Sequence, residues 1–443
     1  MATAPNINES VDVVPGGVNV ANAVILNAEG RGCNIKDLIV SIDIFEDIMS
    51  PFISGNVVVS DSIALAEMLP LQGEETLILE LDTPAFVQAG QDRSDINYQR
   101  AMMVHLYKIE AKENAALKNV LYKLSFMSLD AVRDINTKIS KTFRGKPSEI
   151  AEKILKEETY LGSNKELLIE PCGNQIVYTS NYWSPSKNLM FIAERALSPM
   201  NNPNYLFFEN SEGFVFASLD ALYKYPPITT LFRDQQVRAT SKDESNDIER
   251  EYTKILDMST GEHYDYITRA TSGMYGSVIY TFDVETKKLN FKTVDGWRDF
   301  GQDKISLNAK LPVEPRKSDE IATKLSAPYR PDAKMFVEVS QLNNYNGSTI
   351  QSLENNMRRA TLLNQAQFNK INIQVFGRFD YTVGRTIDVV IYADKEMLEN
   401  DSPEDAYDKI LSGRYLITAC NHSIDRQVHL CNLELSKDSY TDI

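Results

Sequence analysis

The chain has 443 residues, 43% hydrophobic and 24% charged, with a net charge of −16 and a pI near 4.9. That is the balance of a folded protein of roughly two to four domains, and it argues against nucleic-acid binding, which needs a basic footprint. No apolar run approaches the roughly 20 residues of a membrane helix, Met1–Ser10 lacks the basic and apolar regions of a secretory signal, and four cysteines in so long a chain suit a reducing cytoplasm rather than a disulfide scaffold.

In chain order, residues 1–34 have little pattern and read as an extended arm or an added strand. Leu38–Phe45 alternates as a strand does, with Glu46-Asp47 as its acidic turn, and Pro51–Asp61 gives the next strand. Asp61 or Ser62 can cap a short helix, Ile63–Leu69, that Pro70 closes. Strands 75–82, 101–111 and 119–128 follow, with a polar loop tip at Ala89–Asn97. From 131 the pattern turns to mixed α/β. Ser148 is the expected cap of a helix Glu149–Glu158, and Ser184-Pro185 opens a helix over Lys187–Leu197. Tyr205–Phe208 and Phe214–Phe216 flank Asn210–Gly213 as a hairpin with a four-residue loop. Residues 234–250 read as a solvated connection, 250–290 as strands, with Tyr275–Glu285 in the style of Ser54–Asp61, and 291–347 as loop-rich. A long helix, Ser352–Phe368, then precedes strands 370–376, 385–392, 414–420 and 428–436, with an acidic loop at 394–408.

Two stretches echo each other. Tyr107-Lys-Ile109 reaches Leu124-Ser-Phe126 after 17 residues, and Tyr415-Leu-Ile417 reaches Leu433-Glu-Leu435 after 18. Upstream, Gly73 and the strand at Leu77–Leu81 precede Tyr107 by 34 residues, as Gly384 and the strand at Ile387–Ile391 precede Tyr415 by 31. Alternation alone makes any two hairpins look alike, but three strands in one order at near-equal spacing favour duplication of a β-module. Two copies per chain, assembled as a trimer, would put six similar units in a ring.

One side-chain set invites chemistry. If Asp425-Arg426 is a hairpin turn, Cys420 faces Cys431 and His422 faces His429, and all four share one strand face. That is the ligand type of a Cys2His2 zinc site, but the spacings are unlike the usual C-x2-4-C and H-x3-5-H, Asp-Arg is a poor turn sequence, and longer loops would scatter the groups. The expectation is a metal-free hairpin of packed thiols and hydrogen-bonded histidines, with no cofactor. Catalytic schemes have little to draw on: four histidines, no G-x-S-x-G, Walker loop, H-E-x-x-H or G-x-G-x-x-G, and no carboxylate pair that stands out. No catalytic residue is assigned, and a non-enzymatic protein is expected.

Three segments resemble the central hub subunits of contractile-tailed phage baseplates and the related spike proteins of type VI secretion. They are Tyr415–Ile424 with Leu433–Leu435, similar to that family's terminal hairpin; Phe376–Ile387, similar to its Gly-turn hairpin; and Asn188–Leu197 with Tyr205–Phe216, similar to its helix-then-hairpin. The resemblance implies an α+β, mainly antiparallel β fold with two tail-tube-like β-barrel modules and a mixed α/β domain. On that reading, residues 1–34 are an arm, 35–130 the first barrel, 131–247 with 291–367 the α/β insertion, and 248–290 with 368–443 the second, split barrel. It also implies a homotrimer joining a hexameric tail tube protein to a trimeric central spike protein, with baseplate wedge and tape measure proteins as further contacts, located in the virion after assembly in the host cytoplasm. Neither sequence-specific nucleic-acid binding nor a membrane anchor is expected; surplus acid would line a channel through which DNA slides. The alternatives are a spike or tube initiator of a related secretion system and, from another class, a tail-associated cell-wall hydrolase. The arm and the acidic loop match nothing in the family pattern.

Overall fold

The computed structural model describes residues 15–63, 65–69, 71–83, 99–116, 119–233, 251–261, 272, 274, 276–283, 287–295, 305–308, 332–338, 350–392, 407–425 and 428–440. The loop tip 89–97, the connection 234–250 and nearly all of the acidic loop 394–408 lie outside these residues.

Seven strands come first: β1 (Asn19–Leu26), β2 (Gly32–Asn34), β3 (Ile39–Asp47), β4 (Ser54–Asp61), β5 (Thr76–Asp82), β6 (Gln99–Ala116) and β7 (Asn119–Ser128). The α/β part carries β8 (Thr142–Gly145), β9 (Leu167–Ile169), β10 (Ile176–Thr179), β11 (Tyr205–Asn210) and β12 (Gly213–Ser218). Then come β13 (Pro227–Arg233), β14 (Ile255–Thr260), β15 (Gly276–Asp283), β16 (Lys288–Asp295) and β17 (Asp332–Glu338). Last are β18 (Asn369–Phe376), β19 (Thr386–Ile391), β20 (Gly413–Asp425) and β21 (Val428–Lys437). The fold is α+β and mainly antiparallel β, as expected.

Thirteen of these strands form one sheet. Within it two five-strand sets run in the same order, β3-β4-β7-β6-β5 and β14-β18-β21-β20-β19, and every pairing in both is antiparallel. The strands recognised as echoes, β5, β6 and β7, occupy the places of β19, β20 and β21. Each set gains a sixth strand: β1 joins β5 antiparallel, and β13 joins β19 parallel. The N-terminal segment is therefore an added strand from Asn19 onward. The sets meet directly, because the outer half of β20 (Ala419–Asp425) pairs with β3 while its inner half pairs with β19.

Alternation explains how each set makes a core. The inward residues Ile42, Ile44, Val57, Val59, Leu77, Leu79, Leu124 and Phe126 of the first set are all essentially inaccessible. Those of the second, Ile371, Ile373, Val375, Val389, Ile417, Leu433 and Leu435, share their core with Phe208, Leu219 and Leu222 of the α/β part. Each such side chain contributes about 1.5–3 kcal/mol on burial. A third core gathers Ile150, Ile154 and Leu155 of the helix Pro147–Lys156 with Leu189 and Ile192 of the helix Pro185–Ala193. The long helix runs Ile350–Ala366.

Several local expectations are corrected. The strand at 276–283 is not part of the second set: β15 lies in a separate sheet with β16 and β17, and the partner in order of Ser54–Asp61 is β18. Residues 227–233, expected in the α/β insertion, supply the edge strand β13 instead. Alternation reveals that a segment is a strand but not which strand lies beside it. The 291–347 segment holds β17 and the end of β16. Asn210 pairs with Gly213, so that hairpin loop has two residues rather than four. Pro147 begins its helix after Lys146, which leaves Ser148 inside, where its hydroxyl accepts from Cys172 N at 3.2 Å instead of capping. Ser184 does cap the next helix, accepting from Lys187 N. Glu46 belongs to β3, so the acidic turn does not begin there.

Candidate functional site

Chemistry concentrates where the two sets join. β20 and β21 form a hairpin whose last pair is Asp425 with Val428, so the pairing lies two residues away from the one the Asp-Arg turn implies. His422 now faces Cys431, Cys420 faces Leu433 and His429 faces Ile424. A slip of two keeps every side chain on its face. Cys420, His422, His429 and Cys431 are accordingly all buried on one side, no more than 2% exposed.

They are also close. His422 Nδ1 lies 3.0 Å from His429 Nε2 and 3.2 Å from Cys431 Sγ, which is 3.5 Å from His429 Nε2. Ligating atoms of Cys420, His422 and Cys431 fall within 4.8 Å of one another. The segment between β18 and β19 covers them. Tyr381 O sits 3.0 Å from His422 Nε2. Because a carbonyl only accepts, that nitrogen carries the proton and Nδ1 presents a lone pair to the cluster. Phe379 stacks on His429 at 4.7 Å between ring centroids. Gly377 is required there, since a Cβ would stand 2.1 Å from the His429 ring. Burial pushes the Cys420 thiol up, with neighbouring Cys431 adding to it. Burial would raise Cys431 too, but the hydrogen bond from Cys420 and the two imidazoles outweigh it and hold that thiol well below its usual value. Burial also lowers His429.

Beside the cluster, Glu46 of β3 faces Cys420 across the seam. Its carboxylate accepts from Arg100 Nη2 of β6 at 2.5 Å, from Thr382 Oγ1 at 2.5 Å and from Val383 N at 3.3 Å. One buried ion pair thus holds β3, β6 and the 378–383 segment together, with both side chains at 6% exposure or less.

A second joint ties the first set to the α/β part. It lines a cleft of about 400 Å³ bounded by Ile53, Arg100, Ser128, Asp130, Lys165 and Glu209. Glu209 of β11 accepts from Ile53 N and Ser128 Oγ, both at 3.1 Å, and pairs with Lys165, which also reaches Asp130 at 3.0 Å. Burial raises the Glu209 carboxyl, an effect that the Lys165 ammonium opposes. With its oxygens taken up by these donors, this carboxylate holds two segments together rather than offering a free base. Sequence reasoning missed both joints, since their members are scattered along the chain and only the fold brings them together.

Two of the four histidines, His422 and His429, meet at the seam; His105 lies on β6 and His263 is outside the described residues. Among the described residues no helix is long and apolar enough to cross a membrane.

No family model matches the sequence, and no curated protein matches it. Solved structures do. A tail protein from Neisseria meningitidis superposes with a TM-score of 0.53 at 12% identity, covering 95% of this chain and 97% of that one. The 43 kDa tail protein of prophage MuSo2 from Shewanella oneidensis gives 0.53 at 9% identity, covering 95% and 99%. An E. coli component of the type VI secretion system matches more loosely, with a TM-score of 0.40 at 8% identity over 90% of this chain and 73% of that one. Over nearly its whole length, then, this chain has the fold of phage tail proteins.

Proposed function

We propose that the chain is the central hub of a phage tail baseplate, a homotrimer joining a hexameric tail tube to a trimeric spike around a channel for DNA. One observation carries this reading: the two strand sets share one order and lie next to each other through the β20–β3 pairing. Three such chains supply six similar units to one ring while keeping threefold symmetry elsewhere. The domain division that fits this role gives one tube-like module to β3–β7 with β1, and the other to β14 and β18–β21 with β13. The α/β part and the β15–β17 sheet then stand as insertions, which repeated units carry on their periphery.

A second feature supports assembly. Met103, Tyr107 and Ile109 of β6 are 51%, 46% and 44% exposed, and Leu289 and Phe291 of β16 are 59% and 74% exposed. Apolar strand faces of this kind are the ordinary material of subunit interfaces. The role is structural, consistent with buried carboxylates engaged in joints. The net charge of −16 suits a channel that lets a duplex pass without holding it.

Light scattering tests the stoichiometry: the expected mass is three times the 50.0 kDa chain, independent of concentration. Negative-stain images should show rings with six similar lobes. A monomer or dimer, or rings without that pseudo-symmetry, would remove the reading. Duplex DNA should not shift on a gel even at low salt, where weak attraction is greatest.

A further inference from the structure

We propose that Cys420, His422, His429 and Cys431 bind a zinc ion that fastens the β20–β21 hairpin to the segment covering it. The inference is independent of the baseplate role. A tetrahedral site with Zn–N near 2.0–2.1 Å and Zn–S near 2.3 Å places neighbouring ligand atoms about 3.3–3.8 Å apart. The three contacts among His422 Nδ1, His429 Nε2 and Cys431 Sγ, at 3.0, 3.2 and 3.5 Å, are close to that spacing. Cys420, His422 and Cys431 are the residues whose ligand atoms all lie within 4.8 Å of one another, and His429 joins them through its contacts to His422 and Cys431.

The orientation of His422 is also that of a ligand. Its Nε2 proton is committed to Tyr381 O, the outer hydrogen bond that metal-bound histidines ordinarily make, and this turns the Nδ1 lone pair toward His429 and Cys431. Without a cation that single lone pair is approached by both His429 Nε2 and Cys431 Sγ. With zinc, each of the four residues donates one pair. Two thiolates cancel the 2+ charge, so the completed centre is neutral, as a site this deep requires. The completed centre holds two thiolates and two neutral imidazoles, so any proton these four groups carry beyond that state is released on binding. The mixed sulfur and nitrogen donors select zinc over calcium or magnesium, which take oxygen.

The ring of His429 is held by Phe379 on one side, and Gly377 leaves it room. The ligands come from two adjacent strands, and their cover comes from the loop before β19, so one ion would lock three segments at the seam with β3. The short C-x10-C and H-x6-H spacings escape the usual motif patterns because cross-strand register, not helical or knuckle spacing, brings the ligands together.

The test uses the full chain, expressed with added zinc and purified without chelator. Elemental analysis should find about one zinc per chain. Protein unfolded with chelator and refolded with Co2+ alone should develop tetrahedral cobalt bands and thiolate-to-cobalt absorption. Cys420→Ser and Cys431→Ser should lose the metal, while Cys33→Ser and Cys172→Ser keep it. X-ray absorption on the wild-type protein should fit two sulfur and two nitrogen neighbours, a readout that stands even if a cysteine variant does not fold. Zinc well below stoichiometry with no cobalt spectrum would overturn the proposal and leave a hydrogen-bonded polar cluster. So would zinc that persists in both Cys420→Ser and Cys431→Ser.

Discussion

The two five-strand sets have one order but are completed in different ways. In the first, β3 turns directly into β4 through residues 48–53, and the apolar core is aliphatic with Phe126 and Tyr122 added, the Tyr122 hydroxyl donating to Asp61 Oδ2 at 3.3 Å. In the second, the matching connection from β14 to β18 spans 261–368 and contains a separate sheet and the long helix. Its core merges with that of the α/β part. Taking Leu433 as the counterpart of Leu124, the place of Tyr122 falls to Cys431. Strand order survives such changes because backbone pairing fixes it, whereas interior chemistry follows whatever covers the sheet. The cover of the second set is the 377–385 segment, and beneath it lie the thiols, the imidazoles and one end of the Glu46 joint.

Breaking that joint should have the largest effect. Glu46→Ala would leave Arg100 charged and buried without its carboxylate, at a loss of about 3–5 kcal/mol. Urea unfolding of the variant measures it. Replacing both partners, Glu46→Leu with Arg100→Met, should return most of the stability, since a matched apolar pair avoids the desolvation of two ions. A double variant as unstable as the single one would mean that the hydrogen bonds to Thr382 and Val383, not the ion pair, hold the sets together.

The next largest effect separates the sets by pH. Lys437, at the end of β21, is fully buried, donates to Ser412 O at 2.7 Å and lies 4.7 Å from the Tyr415 ring. In the first set the corresponding place is taken by Ser128. Burial pulls the Lys437 ammonium down to about 7, against a weaker opposing pull from Asp408. The unfolded chain keeps that proton up to a pH of about 10.4. Between these two values the unfolded state binds more protons, so stability rises with pH across the window. Below it, both states are protonated and the full penalty, on the order of 4 kcal/mol, is present. Lys437→Met should flatten the rise from pH 7 to 10 and stabilise the protein at pH 7 by about 1–3 kcal/mol, the gain being limited by the lost hydrogen bond to Ser412 O. Chemical unfolding at stepped pH decides it. A wild-type profile without the rise would show that the ammonium stays charged in the fold.

Much of this architecture is legible in the sequence. The recurrence of Tyr-x-Ile and the later Leu-x-Phe or Leu-x-Leu located β6, β7, β20 and β21, and the Gly73 and Gly384 turns located the strands beside them. Neighbour relations were not legible. β13 and β15 have equally strand-like sequences, yet one joins the main sheet and the other leaves it, because pairing depends on where connections deliver a strand. Glu46 looked like a turn residue because its partners lie 54 and 336 positions away. The cysteine–histidine face was visible from spacing, since residues two apart share a face in any register. Its closeness depended on where the hairpin turned, and a two-residue shift there placed His422 against Cys431.

The smallest predicted effects probe how the two sets fill equivalent space. Phe126 faces Gly55 across β7 and β4, while its counterpart Leu435 faces Ile371 across β21 and β18. Large against absent on one side, medium against medium on the other, the two pairs fill similar room. A Cβ on Gly55 would meet the Phe126 ring at 2.2 Å and Asp43 O at 2.3 Å, so both a side chain and the β3 backbone must move. Gly55→Ala should therefore destabilise by about 1–3 kcal/mol through overpacking. Ile371→Val removes one methylene from a core that has no such clash and should lose only about 0.5–1.5 kcal/mol. Unfolding midpoints of the two variants measure the difference. Adding Phe126→Leu to Gly55→Ala converts the first pair toward the second and should recover part of the loss. If it recovers none, the strain lies against the Asp43 carbonyl, and the two sets fit their residues by backbone spacing rather than by trading side-chain volume.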